Sequence, residues 1–383
     1  MKLKKTAACA LAVLLIMSSL PLRALALTKD EVKAPSAILL EANTGKILYE
    51  KNAHEKRCCA SITKVMTLLL VMEAIDSGKI GLKDTVTASD HAASMGGSQI
   101  WLKPGETMTV DDLLKATVIA SANDTATALA EYVAGSEDEF VKQMNDKAKT
   151  LKMNDTTFKN CNGLDEDGHV TSAHDVAIMS RELIKHPKIF KYTKVWIDYL
   201  RGGKTQLVNT NKLIKYYDGI TGLKTGTTGK AGSCISATAV RNGVSLIAVV
   251  LGSSTTKDRF ASARTLLDYG FANWEVVKPK IPANALYPVS VSNGMEPEVK
   301  TEVKSSGSIL VPKGKGGSIK NSVTINKNVK APVKSGQVVG KITFTLDNKT
   351  LQEYNICAKN SVEQITFKAA FGLLFKGLIN MGC

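Results

Sequence analysis

Three short motifs, widely separated and in a fixed order, constrain this chain more than anything else in it: Ser61-Ile62-Thr63-Lys64, then Ser121-Ala122-Asn123, then Lys224-Thr225-Gly226. Together they supply a nucleophile, groups able to activate it, and a cationic strand edge suited to a carboxylate. A chain that uses all three must close on itself so that distant segments meet. The bare S-x-x-K pattern recurs at Ser254-Thr255-Thr256-Lys257, so one motif alone is weak. The ordered set points to an active-site serine hydrolase or acyl transferase.

The stretches around the motifs have legible periods. Ser36–Glu41 and Lys46–Glu50 read as strands around a turn at Ala42-Asn43-Thr44-Gly45. From Ser61 to about Ser77, Val65, Leu68, Leu69, Met72 and Ile75 recur at helical spacing, and Gly78 closes the helix. Further helices are expected at 110–119, 124–133, 137–150, 173–184 and 259–269. Strands are expected at 232–240 and 244–251 around Arg241-Asn242-Gly243. Strands at both ends with helices between imply one sheet whose edges come from distant parts of the chain.

On a helix, Ser61 and Lys64 share a face and can hydrogen bond. An ordinary lysine, with a pKa of about 10.4, is protonated at neutral pH and cannot accept the serine proton. Burial or nearby positive charge must depress it, and both the helix start and Lys224 offer such charge. Read alone, Ser61 is a helix cap. Ser121 and Asn123 fall in a turn between helices. Ser121 there can relay a proton to a leaving amine and Asn123 can orient Lys64 or a substrate amide, or either can cap the next helix. Lys224–Thr228 reads as a strand edge, where Gly226 lets a substrate backbone approach closely and Lys224 and Thr225 face a carboxylate. A Gly/Thr/Lys turn is the plainer reading of that run.

The ends of the chain carry separate signals. Lys2, Lys4 and Lys5, the apolar run Ala7–Leu20 and Ala24-Leu25-Ala26 form an export signal over residues 1–26, too short in its apolar part to span a bilayer. Without it the formal charge falls from +15 to +11. Residues 275–383 hold 15 Lys, no Arg and 7 acidic residues. With no nucleic-acid motif present, this surplus suits an anionic envelope or simply a soluble basic surface. After Trp274, Pro279 and Pro282 mark a linker. Alternating Val-, Lys-, Gly- and Ser-rich sequence then argues a small all-β domain to about residue 364. Phe367, Phe371, Leu374, Leu378 and Met381 follow a 4-3-4-3 spacing opposite Lys368, Gly372, Lys376 and Asn380, an amphipathic helix suited to a membrane surface. Six cysteines remain after the signal: Cys58, Cys59, Cys161, Cys234, Cys357 and Cys383. They show no pairing framework, and neither a metal nor a cofactor is expected. Cys58 and Cys59, just before the nucleophile, are thiol-reactive or buried and inert.

The motifs resemble those of the serine D-Ala-D-Ala carboxypeptidases, the low-molecular-mass penicillin-binding proteins. The resemblance rests on Ala60-Ser61-Ile62-Thr63-Lys64-Val65-Met66, Ser121-Ala122-Asn123-Asp124 and the run Asp218–Gly226. A loop from Asn162-Gly163-Leu164 to His169-Val170-Thr171-Ser172-Ala173 adds to it. It implies an α/β (α+β) β-lactamase/transpeptidase-like catalytic domain with a central antiparallel sheet over 27–274, an all-β domain over 275–364, and a membrane-anchoring amphipathic helix over 365–383. It also implies that Ser61 forms the acyl-enzyme, Lys64 accepts its proton, Ser121 assists proton transfer, and the Ser61 and Thr227 backbone N–H groups form an oxyanion hole. Lys224, Thr225 and Arg259 would hold the terminal carboxylate, with Asn123 beside them. The implied reaction removes terminal D-alanine from a peptidoglycan stem pentapeptide and so regulates cross-linking at the outer face of the cytoplasmic membrane. β-Lactams would acylate the same serine. Cys58-Cys59 departs from the proline or small residues expected there.

Other readings remain at this stage. A class A β-lactamase needs a water-placing glutamate followed four residues later by asparagine, whereas Glu166 is followed at that spacing by Val170. A DD-endopeptidase, or a weakly catalytic module that holds wall peptides or β-lactams, shares the motifs. A Ser-His-Asp hydrolase lacks its G-x-S-x-G elbow, and His169 and His174 read as loop and helix-start residues.

Overall fold

Ser36–Glu41 (β1) is buried along its whole length and pairs antiparallel with Ile47–Lys51 (β2). The computed structural model describes residues 27–304 and 307–372. The expected export signal, residues 373–383 of the expected terminal helix and Cys383 therefore lie outside the described residues. The chain divides into two compact units, Met1–Val240 with Ser245–Asn273 and Arg241–Val244 with Trp274–Cys383.

In the first unit, Lys64–Asp76 (α1) carries the five apolar positions expected to face a core. In fact almost all of its residues are buried, from Lys64 to Ile75. It is a central helix with no solvent face, which is why its sequence is apolar nearly all round. Val110–Lys115 (α2), Asn123–Ala134 (α3), Glu137–Thr150 (α4) and Ala173–Leu183 (α5) follow. The Ser136 and Ser172 side chains accept the backbone N–H of Glu139 and Asp175 at the starts of α4 and α5. α1 packs against α3, α4 and α5, and α5 packs on β1.

Short antiparallel pairs lie between the helices. Thr85–Thr87 (β3) pairs with Thr107–Thr109 (β4), and Ile197–Leu200 (β5) with Thr205–Val208 (β6). The long strands Ile220–Thr228 (β7), Gly232–Arg241 (β8) and Val244–Ser253 (β9) complete a five-stranded sheet in the order β2-β1-β9-β8-β7. Its edges do come from distant parts of the chain. β1 pairs antiparallel with β9, and β7 with β8. Thr256–Asn273 (α6) packs on β1 and is longer at both ends than the expected 259–269. Thr255 explains its start: its Oγ1 accepts the Asp258 N–H at 3.0 Å. The second S-x-x-K is thus a helix cap and no part of the site.

The second unit, as described to residue 364, is built mainly of β-strands. Thr301–Val303, Lys349–Ala358, Val338–Leu346 and Lys320–Ile325 form one four-stranded sheet, and Val289–Ser292 joins Glu298–Val299 and Asn328–Lys330 in another. Val339, Ile342, Phe344 and Leu346 alternate into its core. Asp347 and Asn348, both at positive φ (49° and 62°), turn the long hairpin as a type I′ geometry requires. Residues 367–372 are helical, with Phe367 and Phe371 exposed and their rings 6.3 Å apart. No helix among the described residues is long and apolar enough to cross a membrane.

Candidate active site

The turn that carries Ser61 is anchored before it begins. The Arg57 and Thr171 backbones exchange hydrogen bonds at 2.7 and 2.9 Å. Cys59 is buried, Ala60 adopts a left-handed φ of 50°, and Ala60–Thr63 forms a 3₁₀ turn. The α-helix starts at Lys64, not at the expected Ser61. The difference matters, because side chains at i and i+3 eclipse in a 3₁₀ turn and so Ser61 is stacked over Lys64. Lys64 Nζ lies 3.1 Å from Ser61 Oγ.

Lys64 is fully buried. Its Nζ also donates to Asn123 Oδ1 at 2.5 Å and to the Asn162 carbonyl at 2.6 Å. Three acceptors match the three protons of an ammonium. When one proton leaves, two donors still serve the asparagines and the lone pair turns to Ser61, whose hydroxyl then donates. Burial pushes the Lys64 pKa down to about 7, against the opposing pull of Cys161 and Asp124. Desolvation, more than the neighbouring positive charge expected from the sequence, supplies the depression.

The second motif sits on irregular helix. After α2 the chain passes through a π turn, Ala116–Ala120, where a continuous helix to 119 was expected. Ser121 follows with a left-handed φ of 62° and is nearly buried, and α3 begins at Asn123. The Asn123 N–H donates to the Ser98 carbonyl at 2.6 Å and its Nδ2 to the Gly96 carbonyl at 2.6 Å. Asp124 accepts the N–H groups of Ile100 and Leu102, each at 3.0 Å. One motif therefore holds both Lys64 and the 96–102 segment.

The third motif lies on the edge strand β7. A side chain on Gly226 would stand 2.8 Å from both the Cys59 carbonyl oxygen and the Ser61 amide nitrogen, so only glycine lets β7 reach the nucleophile turn. Lys224 is buried, donates to the Thr225 carbonyl at 3.0 Å, and is held well below the ordinary lysine range by burial, then by Lys64 and Arg259. Thr225 Oγ1 donates to Thr210 Oγ1 at 2.7 Å. Arg259, from α6, donates through Nη1 to Thr227 Oγ1 at 3.0 Å and to the Gly226 and Cys234 carbonyls. Lys224 and Arg259 thus set buried hydrogen-bond donors on and behind an edge strand that meets the Ser61 turn, a setting that suits an anion.

Sequence reasoning missed a support behind the turn. The loop that begins at Asn162-Gly163-Leu164 enters the sequence reading only as part of the resemblance, yet its Asn162 carbonyl is an acceptor for the Lys64 amine itself. Gly163, at φ 89°, lies where any side chain would overlap the Ala60 carbonyl. His169 is buried rather than a free loop residue. Its Nδ1 accepts the Lys159 N–H at 3.2 Å, which leaves Nε2–H to donate to Thr63 Oγ1 at 2.8 Å. Burial lowers the His169 pKa to about 4, so the ring stays neutral. Cys58, Cys59, Cys161, Cys234 and Cys357 are free thiols, and burial pushes Cys59 up to about 12 and Cys234 up to about 11. Glu166 is exposed and accepts from Asn160 Nδ2 at 3.0 Å.

Residues 23–255 match the model of the D-alanyl-D-alanine carboxypeptidase family, and residues 278–364 that of the penicillin-binding protein 5 C-terminal domain. The D-alanyl-D-alanine carboxypeptidase DacF of Bacillus subtilis is 45% identical over 339 residues, covering 88% of this chain and 87% of the relative. The crystal structure of penicillin binding protein 5 from Haemophilus influenzae aligns with a TM-score of 0.78 at 31% identity, covering 88% of this chain and 100% of that one. Penicillin-binding protein D2 of Listeria monocytogenes in its ampicillin-bound form aligns at 0.58 and 33% identity over 63% of this chain and 98% of its own.

Proposed function

The chain belongs to the D-alanyl-D-alanine carboxypeptidase family and is a serine peptidase, and from that premise we propose which of its residues carry the reaction. Ser61 Oγ attacks the carbonyl of the penultimate D-alanine of a wall peptide while neutral Lys64 takes its proton along the 3.1 Å contact. The Ser61 and Thr227 backbone N–H groups receive the developing oxyanion. The proton on Lys64 passes through the Ser121 hydroxyl to the departing D-alanine amine as the peptide bond breaks, and water then frees the acyl group from Ser61 and restores its hydroxyl proton. Lys224, Thr225, Thr227 and Arg259 receive the terminal carboxylate, and Asn123 holds Lys64 in register.

The observation that carries this assignment is the buried Lys64 amine, with a pKa near 7, against the Ser61 hydroxyl. It is a base able to work at neutral pH without a histidine. β-Lactams, which present a carboxylate beside a reactive amide, acylate the same serine in this reading. The enzyme acts on peptidoglycan peptides outside the cytoplasm, exported by residues 1–26. Exposed Phe367 and Phe371 support attachment of the 365–383 segment to the membrane surface.

The test is release of free D-alanine from an acyl-D-Ala-D-Ala peptide by the chain and by its Ser61→Ala variant. Release that vanishes in the variant supports the assignment. Release that survives it overturns Ser61 as nucleophile. Absence of release, with β-lactam still labelling Ser61, overturns the carboxypeptidase reading in favour of an endopeptidase or binding module.

A further inference from the structure

An open cleft of about 810 Å³ is lined by none of the residues the chemistry above uses. One wall is the segment 100–106, the other the turn and strand at 201–206. Both walls are tied to the catalytic motifs. Asp124 fixes the first through the Ile100 and Leu102 N–H groups. The second continues along β6 to Thr210, whose N–H donates to the Ile119 carbonyl at 3.2 Å and whose hydroxyl accepts from Thr225.

Trp101 stands between the two pinned residues at a left-handed φ of 57° and is 73% exposed. A large indole presented to water from a strained backbone is costly to maintain. Arg201, itself at φ 53°, braces the cleft. Its guanidinium grips Glu106 with two bonds, at 2.7 and 3.0 Å, and donates to the Ile100 carbonyl at 2.8 Å. With Glu106 thus engaged, Lys103 and Lys204 leave the lining with a surplus of two positive charges, three cations against one carboxylate. Gln206 adds an amide, positioned by its bond to the Tyr199 hydroxyl at 2.9 Å.

We propose that this cleft binds the acidic stretch of the wall peptide upstream of the scissile bond. A backbone segment stacks on Trp101 and a carboxylate lies against Lys103 and Lys204. The proposal rests on the carboxypeptidase reading and assigns it a second recognition point. A flat aromatic face accepts a planar peptide group, and the surplus charge selects an anionic peptide over a neutral sugar.

D-Alanine release by the full chain from four substrates tests it. These are an acyl-D-Ala-D-Ala, a pentapeptide with a free side carboxylate on its second residue, the same pentapeptide amidated there, and the free-carboxylate pentapeptide joined to its disaccharide. Trp101→Ala should lower kcat/KM for the free-carboxylate pentapeptide about three- to tenfold, the range of one aromatic contact. Lys204→Gln should lower it by up to about fivefold, as for an exposed ion pair, and should erase the preference for the free carboxylate over the amide. Trp101→Phe, which keeps a flat face, should recover most of the loss. None of the three variants should change turnover of the acyl-dipeptide, which carries no upstream residues to place in the cleft. Equal losses from Lys204→Gln on the amidated and free pentapeptides, or a Trp101→Ala loss confined to the disaccharide-linked substrate, would overturn the assignment. Ser61→Ala is run on all four, so D-alanine release that persists in it marks failure of the underlying reading instead.

Discussion

Replacing Lys64 by methionine, similar in volume but without charge, isolates what burial of this amine does. The amine falls from an ordinary 10.5 to about 7 in the folded chain. At about 1.4 kcal/mol per pKa unit, the fold gives up roughly 4–5 kcal/mol near neutral pH by keeping a lysine there. The sign follows from a depressed folded pKa. The favourable contribution is complete above 10.5, is lost as pH falls toward about 7, and does not change further below that. Methionine carries no such term. The stability of Lys64→Met relative to the parent should therefore rise by ~2 kcal/mol between pH 9 and pH 7. Losing the bonds to Ser61, Asn123 and Asn162 costs about 1–3 kcal/mol for each buried acceptor left unmatched, but that shifts the whole curve and leaves its slope intact. Urea unfolding of both full-length chains at pH 7, 8 and 9 reads the difference. Parallel stability curves would refute a depressed Lys64, and with it the activation of Ser61 described above.

The same pKa places the acid limb of catalysis: kcat/KM for D-alanine release should rise as pH increases through about 7, and a limb absent from that region would argue for another base. Gly226→Ala drives a methyl into the Cys59 carbonyl and the Ser61 amide. β-Lactam acylation should slow on the order of 10²-fold, with the circular dichroism of the fold retained. Arg259→Ala should reduce kcat/KM for a free C-terminal carboxylate by about 10²-fold or more, and amidated peptides should lose much less. Phe367→Ser with Phe371→Ser should release the chain from anionic vesicles, since each buried phenylalanine contributes about 1.5–3 kcal/mol. Unchanged partitioning would remove the membrane role of that segment.

What could be read from the sequence divides along physical lines. The strands β1, β8 and β9 and the helices α3, α4 and α5 announced themselves through period and turn residues, because their burial is local to one face or complete. The β5–β6 hairpin did not. Ile197, Tyr199 and Val208 are exposed and each short strand sends one leucine, Leu200 or Leu207, into the core, too little for a legible hydrophobic period. The π turn at Ala116–Ala120 has no sequence period of its own to mark it. At the site, side chains were visible but backbone partners were not. Any residue can offer the carbonyl that Asn162 offers Lys64, so nothing in the letters marks it. The depression of Lys64 depended on its being wholly enclosed, a property of the fold that no spacing reveals. His169 was underread for the same reason, since its partner Thr63 lies on a distant segment.

The nucleophile turn is clasped between two glycines, Gly226 on the edge strand and Gly163 on the loop behind it. Neither neighbour can gain an atom without displacing the turn, and the turn cannot swell without displacing them. Three segments far apart in the chain are therefore fixed by sterics as one locked unit, so a substitution at either glycine has to be answered by movement of the turn that carries Ser61. An inhibitor that draws its grip from the clasp would meet few sterically tolerated escape substitutions, whereas one that leans on the open walls at 100–106 and 201–206 would meet more.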